Sequence, residues 1–190
     1  MRAARLVLAS GFMIWLLGIS GNDCYARASA GSPARPKVVA ILPLAPVSTD
    51  MPYAPLPSPR ELASLTHELR LAIATSPHIV LIDQARTMQE LRSRGYQQDS
   101  SSHSCADSVC ARQIGRALGA STVVYGGVTR LMAVIWSTDV WVVDVRSGVV
   151  LGEVTAGYKG DYNSMLMGEH FIGARVVKLV LAEPHKPKIR

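Results

Sequence analysis

The chain has 190 residues, 48% of them apolar and 18% charged, with three cysteines and a formal net charge of +6. That length suits one domain with short extensions. The apolar fraction excludes a disordered chain, and only the N-terminal stretch approaches the roughly 20 apolar residues that a bilayer-spanning helix takes.

Arg2 and Arg5 precede an apolar stretch from Leu6 to Ile19, and two overlapping small-x-small sites follow, Ala26-Arg27-Ala28 and Ala28-Ser29-Ala30. A positive start, a short apolar core and such a site predict a secretory signal peptide over residues 1–30, cleaved after Ala28 or Ala30. The competing reading, an uncleaved anchor, is disfavoured because the apolar run falls short of the usual span. Asn22 and Asp23 ahead of Cys24 do not suit lipidation, which wants small residues there. Removal of residues 1–30 leaves 17 basic and 13 acidic residues, a net charge of +4, and Lys186, Lys188 and Arg190 in the tail carry three of those charges. The remaining body is nearly neutral and lacks the electrostatic footprint of a nucleic-acid binder. The expected location is the periplasm, with no stable membrane insertion after cleavage.

A linker at 31–36 leads into a domain expected over 37–182, followed by a basic tail at 183–190. Lys37–Leu42 is a short β-branched run, the first strand. Six prolines between Pro43 and Pro59 (43, 46, 52, 55, 57 and 59) argue against regular structure and for extended chain. Ser58, Pro59 and Glu61 then read as a capping box with proline at the first helical position. Leu62, Leu65, Leu69, Ala72 and Ile73 recur at helical spacing as one buried face. Ser76-Pro77 ends that helix, and His78–Ile82 is a second buried strand. Asp83 caps another helix carrying Ala85, Met88 and Leu91, stopped by Gly95.

The polar stretch Tyr96–Ser104 reads as an exposed loop, and a helix follows through Val109, Ile114 and Leu118 to a cap at Gly119. Thr122–Val128 and Leu131–Val145 are strand-like runs, the first broken by Gly126-Gly127. Asp144–Gly148 is a hairpin turn into Val149-Val150-Leu151, with Gly148 supplying the positive φ of a bulged turn. Asp161 opens a last helix whose inward residues include Met165, Ile172 and Val176. The order β-α-β-α-α-β-β-β-α predicts a single α/β domain. Its sheet is mixed, with parallel strands joined through helices and then an antiparallel meander.

In an oxidising compartment Cys105 and Cys110 form an even pair enclosing four residues, and the favoured reading is a structural disulfide pinning a local turn. The alternatives are a redox pair, more typically C-x-x-C, or a metal site with His103, which would need a further ligand.

Val39–Pro43, Ile79–Asp83, the block C-x4-C-A-x-x-I-G-R-x-L-G-A over 105–120, and Asp144 to Gly148 together resemble a family of secreted bacterial proteins of unknown function. More loosely, the layout over 37–182 is similar to the α/β domain of TolB-like (N-terminal domain) and CsgG-like envelope proteins. The chain has neither a propeller nor a CsgG-type membrane hairpin, so the resemblance implies a periplasmic module and not either activity.

Chemistry-bearing patterns are thin. The histidines at 67, 78, 103, 170 and 185 show no H-x-x-x-H or H-E-x-x-H spacing. Glu169-His170 with Asp161 is read as the solvated face of a helix rather than an acid/base pair or ligand set. Gly115-x-x-x-Gly119 and Gly126-Gly127 lack the order of phosphate loops, and close packing or a β-bulge accounts for them. No catalytic, cofactor or metal residue is assigned. Two features suit binding. One is the stiff proline segment with Pro52, Tyr53 and Pro55. The other is Trp136, which lies five residues from Trp141 and so on the opposite strand face, where one ring exposed to solvent would mark a partner surface. The expected function is therefore a non-enzymatic binding or scaffold module for an envelope or periplasmic protein. The alternative is a small-ligand, redox or metal protein working around His103, Cys105 and Cys110.

Overall fold

Alternation along the first strand divides the protein into two layers of core. Successive strand side chains point to opposite faces, so Val39 and Ile41 join one apolar cluster while Ala40 and Leu42 join another. The computed structural model describes residues 35–49, 55–97 and 104–182. The expected signal peptide, the basic tail, Pro52, Tyr53 and His103 lie outside the described residues, as does the linker up to residue 34.

The elements are β1 (Lys37–Ile41), β2 (Ala45–Val47), α1 (Pro59–Ala74), β3 (Ile79–Leu81), α2 (Gln84–Ser93), α3 (Ser108–Leu118), β4 (Thr122–Met132), β5 (Ile135–Asp144), β6 (Val150–Lys159) and α4 (Tyr162–Leu181). They build one mixed sheet in the order β3-β1-β4-β5-β6, with β2 also on β4. β1 runs parallel to β3 and β4, whereas β4-β5-β6 is an antiparallel meander. This is the mixed α/β arrangement expected from the element order.

The caps form as their residues dictate. Ser58 and Glu61 make the reciprocal capping box of α1, and Asp83, Asp107 and Asp161 cap α2, α3 and α4. Gly119 ends α3 in the left-handed conformation, φ 73°. Gly148 takes φ 78° in the turn after β5, where Asp144 Oδ1 accepts from both the Ser147 amide and its hydroxyl at 2.7 Å. α1 and α4 cover one face through Leu62, Leu65, Leu69, Met165, Ile172 and Val176. α2 and α3 cover the other through Leu91, Ala111, Ile114 and Leu118.

Two local expectations are corrected. The proline segment is not wholly irregular, because Ala45–Val47 pairs with Gly127–Thr129 as β2. Pro46 is tolerated because β2 is an edge strand, where a missing N–H removes no second ladder bond. β1 and β2 thus share one flank of β4, interrupted at Leu42–Leu44. There the Leu44 amide leaves the ladder and donates instead to Thr66 Oγ1 of α1 at 3.0 Å. Gly126-Gly127 does not break a strand either. β4 is continuous, and its irregularity against β5 falls between Arg130 and Met132.

Gly126 is required by close approach. A Cβ there would overlap the Asp139 carbonyl oxygen and lie 3.0 Å from Val140 Cα, both backbone atoms that cannot swing aside. Gly126→Ala is expected to destabilise the protein by about 2 kcal/mol in urea unfolding, the usual scale of an overpacked core. Gly157→Ala, whose Cβ meets nothing nearer than 3.9 Å, serves as the near-neutral control.

Candidate functional site

Cys105 and Cys110 form a disulfide with Cα atoms 5.6 Å apart. The bond joins the segment before α3 to its first turn, where Asp107 Oδ1 accepts from the Cys110 amide at 2.7 Å. Cap and disulfide therefore hold the same end of one helix. Both cysteines are buried, at 8% and 5% exposure. With the two sulfurs bonded to each other, neither is a thiolate nucleophile or a metal ligand. Among the described residues, no group of three His, Cys, Asp or Glu gathers as a metal site.

Beside the disulfide lies a small, shallow cleft open to solvent, with Leu42, Pro43, Met88, Leu91, Tyr96 and Cys105 prominent in its walls. It sits past the carboxyl end of β1, where open α/β sheets hold their ligands. Its described walls carry no carboxylate, imidazole, ammonium or guanidinium group. Tyr96, Gln97 and Ser104 add hydroxyl and amide groups to this mainly apolar lining. Met88 and Leu91 are legible in the sequence as an inward helix face, yet no local pattern tells that this face ends beside Pro43. Only the placement of α2 against β1 does.

The other sequence candidates separate. Pro55 is exposed. Trp136, a candidate partner surface, is 2% exposed and cannot present its ring to a partner. It packs in the α1/α4 cluster, under the Arg130 guanidinium at 4.5 Å and 6.4 Å from the Tyr162 ring. Trp141 lies on the opposite face, as the spacing of five requires, stacked on Tyr125 at 5.7 Å.

Glu169 is the polar residue that sequence reasoning misplaced. Its neighbour His170 is on the solvated face, 3.0 Å from Glu68 of α1, but Glu169 itself is fully buried. Its Oε1 accepts from the Thr138 hydroxyl at 2.8 Å, and its Oε2 has no described protein partner. Burial raises its pKa to about 7, only partly countered by the Thr138 hydrogen bond. Tyr158, whose hydroxyl also lacks a described partner, is raised far above its ordinary value by burial and by the nearby Glu169. With no solvent access, Glu169 cannot exchange protons with a bound substrate; its effect is on stability. The helical period does mark it, since position 169 lies four residues after Met165, three before Ile172 and seven before Val176 on the inward arc of α4; its charge, not its spacing, suggested a wet surface.

No family model matches the chain, and no curated protein matches it in sequence. Its fold is similar to the NMR structure of E. coli LpoB, at 13% identity, covering 84% of this chain and 86% of that chain with a TM-score of 0.52. It is also similar to lipoprotein GNA1162 from Neisseria meningitidis, at 16% identity, covering 78% of this chain and all of that chain with a TM-score of 0.51. At these identities the likeness establishes the fold. Among the described residues, no helix is long and apolar enough to cross a membrane.

Two outcomes follow from these environments. Replacing both cysteines by serine is expected to cost about 2 kcal/mol, the loop-closure entropy of so short a ring. Thermal unfolding should show that loss, and reductant should then lower the wild type and leave the double variant unmoved. For Glu169 the folded pKa lies above the ordinary value of 4.5, so its favourable contribution is present below that value and is lost as pH rises through about 7. Glu169→Gln should remove this dependence. Above pH 7 the variant should gain on the wild type by on the order of 3 kcal/mol, with the difference vanishing near pH 4, as read by urea unfolding across pH.

Proposed function

We propose that this protein is an exported, non-enzymatic module of the bacterial envelope that docks an apolar segment of another envelope protein. The observation that carries the reading is the cleft beside the disulfide, whose described walls are mainly apolar, with Tyr96, Gln97 and Ser104 as the polar members and no charged or imidazole group. A rigid apolar cleft at the end of a parallel strand, with a covalent staple at its rim, is built for recognition rather than proton transfer. The fold shared with a lipoprotein of Neisseria meningitidis supports an envelope setting, as do the N-terminal leader pattern and the 105–120 block.

A photo-crosslinking residue placed at Met88 or Tyr96 should yield the same envelope-protein adduct in the periplasmic fraction. One placed at the exposed His67 on α1 should not. Met88→Asp should reduce the Tyr96 adduct about tenfold, since a carboxylate must be desolvated to enter an apolar contact. Retention of the protein in the cytoplasm, or equal labelling from His67, would refute the proposal.

A further inference from the structure

β6 ends the sheet, pairing with β5 along one side, and no described strand covers its other side. The register and one hydrogen bond determine which backbone groups face outward. Gly160 N–H donates to Val134 O at 2.9 Å, in step with the pairs Ile135–Lys159 and Trp136–Tyr158. Antiparallel ladders alternate, so the even-numbered residues of this stretch bond to β5, and Glu153, Thr155, Gly157 and Lys159 aim their N–H and C=O groups off the edge. The side chains of Glu153, Thr155 and Lys159 are exposed on the face away from α4, as is Gly157 between them. An uncovered strand of this length is a template for another strand.

We infer that β6 is the edge through which two copies of this chain join their sheets about a two-fold axis at Ala156. In an antiparallel pair of β6 strands that uses the outward groups, only the register centred on Ala156 sets Glu153 opposite Lys159 of the second copy. It sets Thr155 opposite Gly157, and symmetry repeats both pairs. Registers one step away leave Glu153 facing Gly157 or Asp161. Opposite charges facing each other across strands are favourable, and like charges are not. An isologous contact requires this self-complementarity.

α4 places a second feature on the same axis. It straddles β5 and β6, reaching β5 through Glu169 and Thr138 at 2.8 Å and β6 through Gly168 under the Tyr158 ring. Leu179 packs on Gly152, so α4 runs back along β6. With a rise of about 1.5 Å per helical residue and about 3.3 Å per strand residue, Phe171 comes level with Ala156. Phe171 is 59% exposed and Met167 70%. Both lie on the flank opposite Gly173, which packs on Ala72 of α1, and so above the free edge. A strand spacing of about 4.8 Å across the seam puts the two α4 helices about 10 Å apart, a helix-packing distance. Phe171 then meets its own copy. Met167 lies near Arg175 of the second copy and Ser164 near Lys178, so no like charges meet.

The inference is independent of the cleft, which lies on the other face of the sheet. Sedimentation of the full chain tests it. The wild type should dimerise, and Glu153→Lys or Lys159→Glu should each weaken the dimer about tenfold or more by setting like charges opposite each other. The double variant E153K/K159E should recover wild-type affinity. Residues 153 and 159 lie far apart along one strand, so such rescue arises only between copies in this register. Phe171→Cys should form an inter-chain disulfide on oxidation. A monomeric wild type, single variants that dimerise like the wild type, a double variant no better than the singles, or no Phe171→Cys cross-link would each overturn it. All three positions are exposed, and circular dichroism of each variant checks that it is folded.

Discussion

The fold hangs on β4, eight of whose eleven residues, Thr122 to Thr129, are buried in succession. A strand covered on both faces must be apolar throughout and must find ladder partners along both sides. One side is filled by β5 over its whole length. The other is filled in two pieces, by β1 and then β2, and the change of register between them falls opposite Gly126 and its neighbours. Gly126 lets β5 come close, and Gly127 does the same for Val47 of β2. Where β1 gives way to β2, Thr66 of α1 supplies the acceptor that the ladder no longer offers Leu44. A helix thus completes the hydrogen bonding of a strand, which ties α1 to the centre of the sheet by more than apolar contact.

The two faces of the sheet serve different ends. On the α2/α3 face, a disulfide and an N-cap secure the start of α3, and Gly115 lets that helix settle against Val123 and Val145. The apolar cleft borders this rigid corner. On the α1/α4 face, the core near β5 and β6 holds Glu169, Thr138, Tyr158 and Trp136. Each buried polar atom without a partner there costs stability. Those costs gather mainly under α4, next to the open edge of β6, with Arg70 Nη1 of α1 a further buried atom that has no described partner.

Local signals carried the architecture. Ser58-Pro59 with Glu61, Asp83, Asp107, Asp161, Gly119 and Gly148 act within one turn of chain, so element ends and turn types follow from neighbouring residues alone. The spacing of Trp136 and Trp141 likewise assigns them to opposite faces. Residues with no such local rule were not legible. Pro46 reads as a breaker and becomes part of an edge strand only because β4 extends far enough to receive it. Glu169 is a different case: its charge reads as part of a wet surface with His170, yet its spacing from Met165, Ile172 and Val176 puts it on the inward face, where Gly168 docks on Tyr158 and Gly173 on Ala72.

The sequence by itself determined the order of elements apart from β2, their caps and turns, and the pairing of Cys105 with Cys110, because each depends on residues close along the chain; the mixed character of the sheet followed from the kinds of connection between its strands. Tertiary structure alone decided that Trp136 is buried and that Met88 meets Pro43 beside the disulfide. It also decided that β6 is left at the edge with Phe171 above it. These are contacts between segments tens of residues apart, and they are set by which helix packs where on a sheet whose two faces were both apolar enough to accept one.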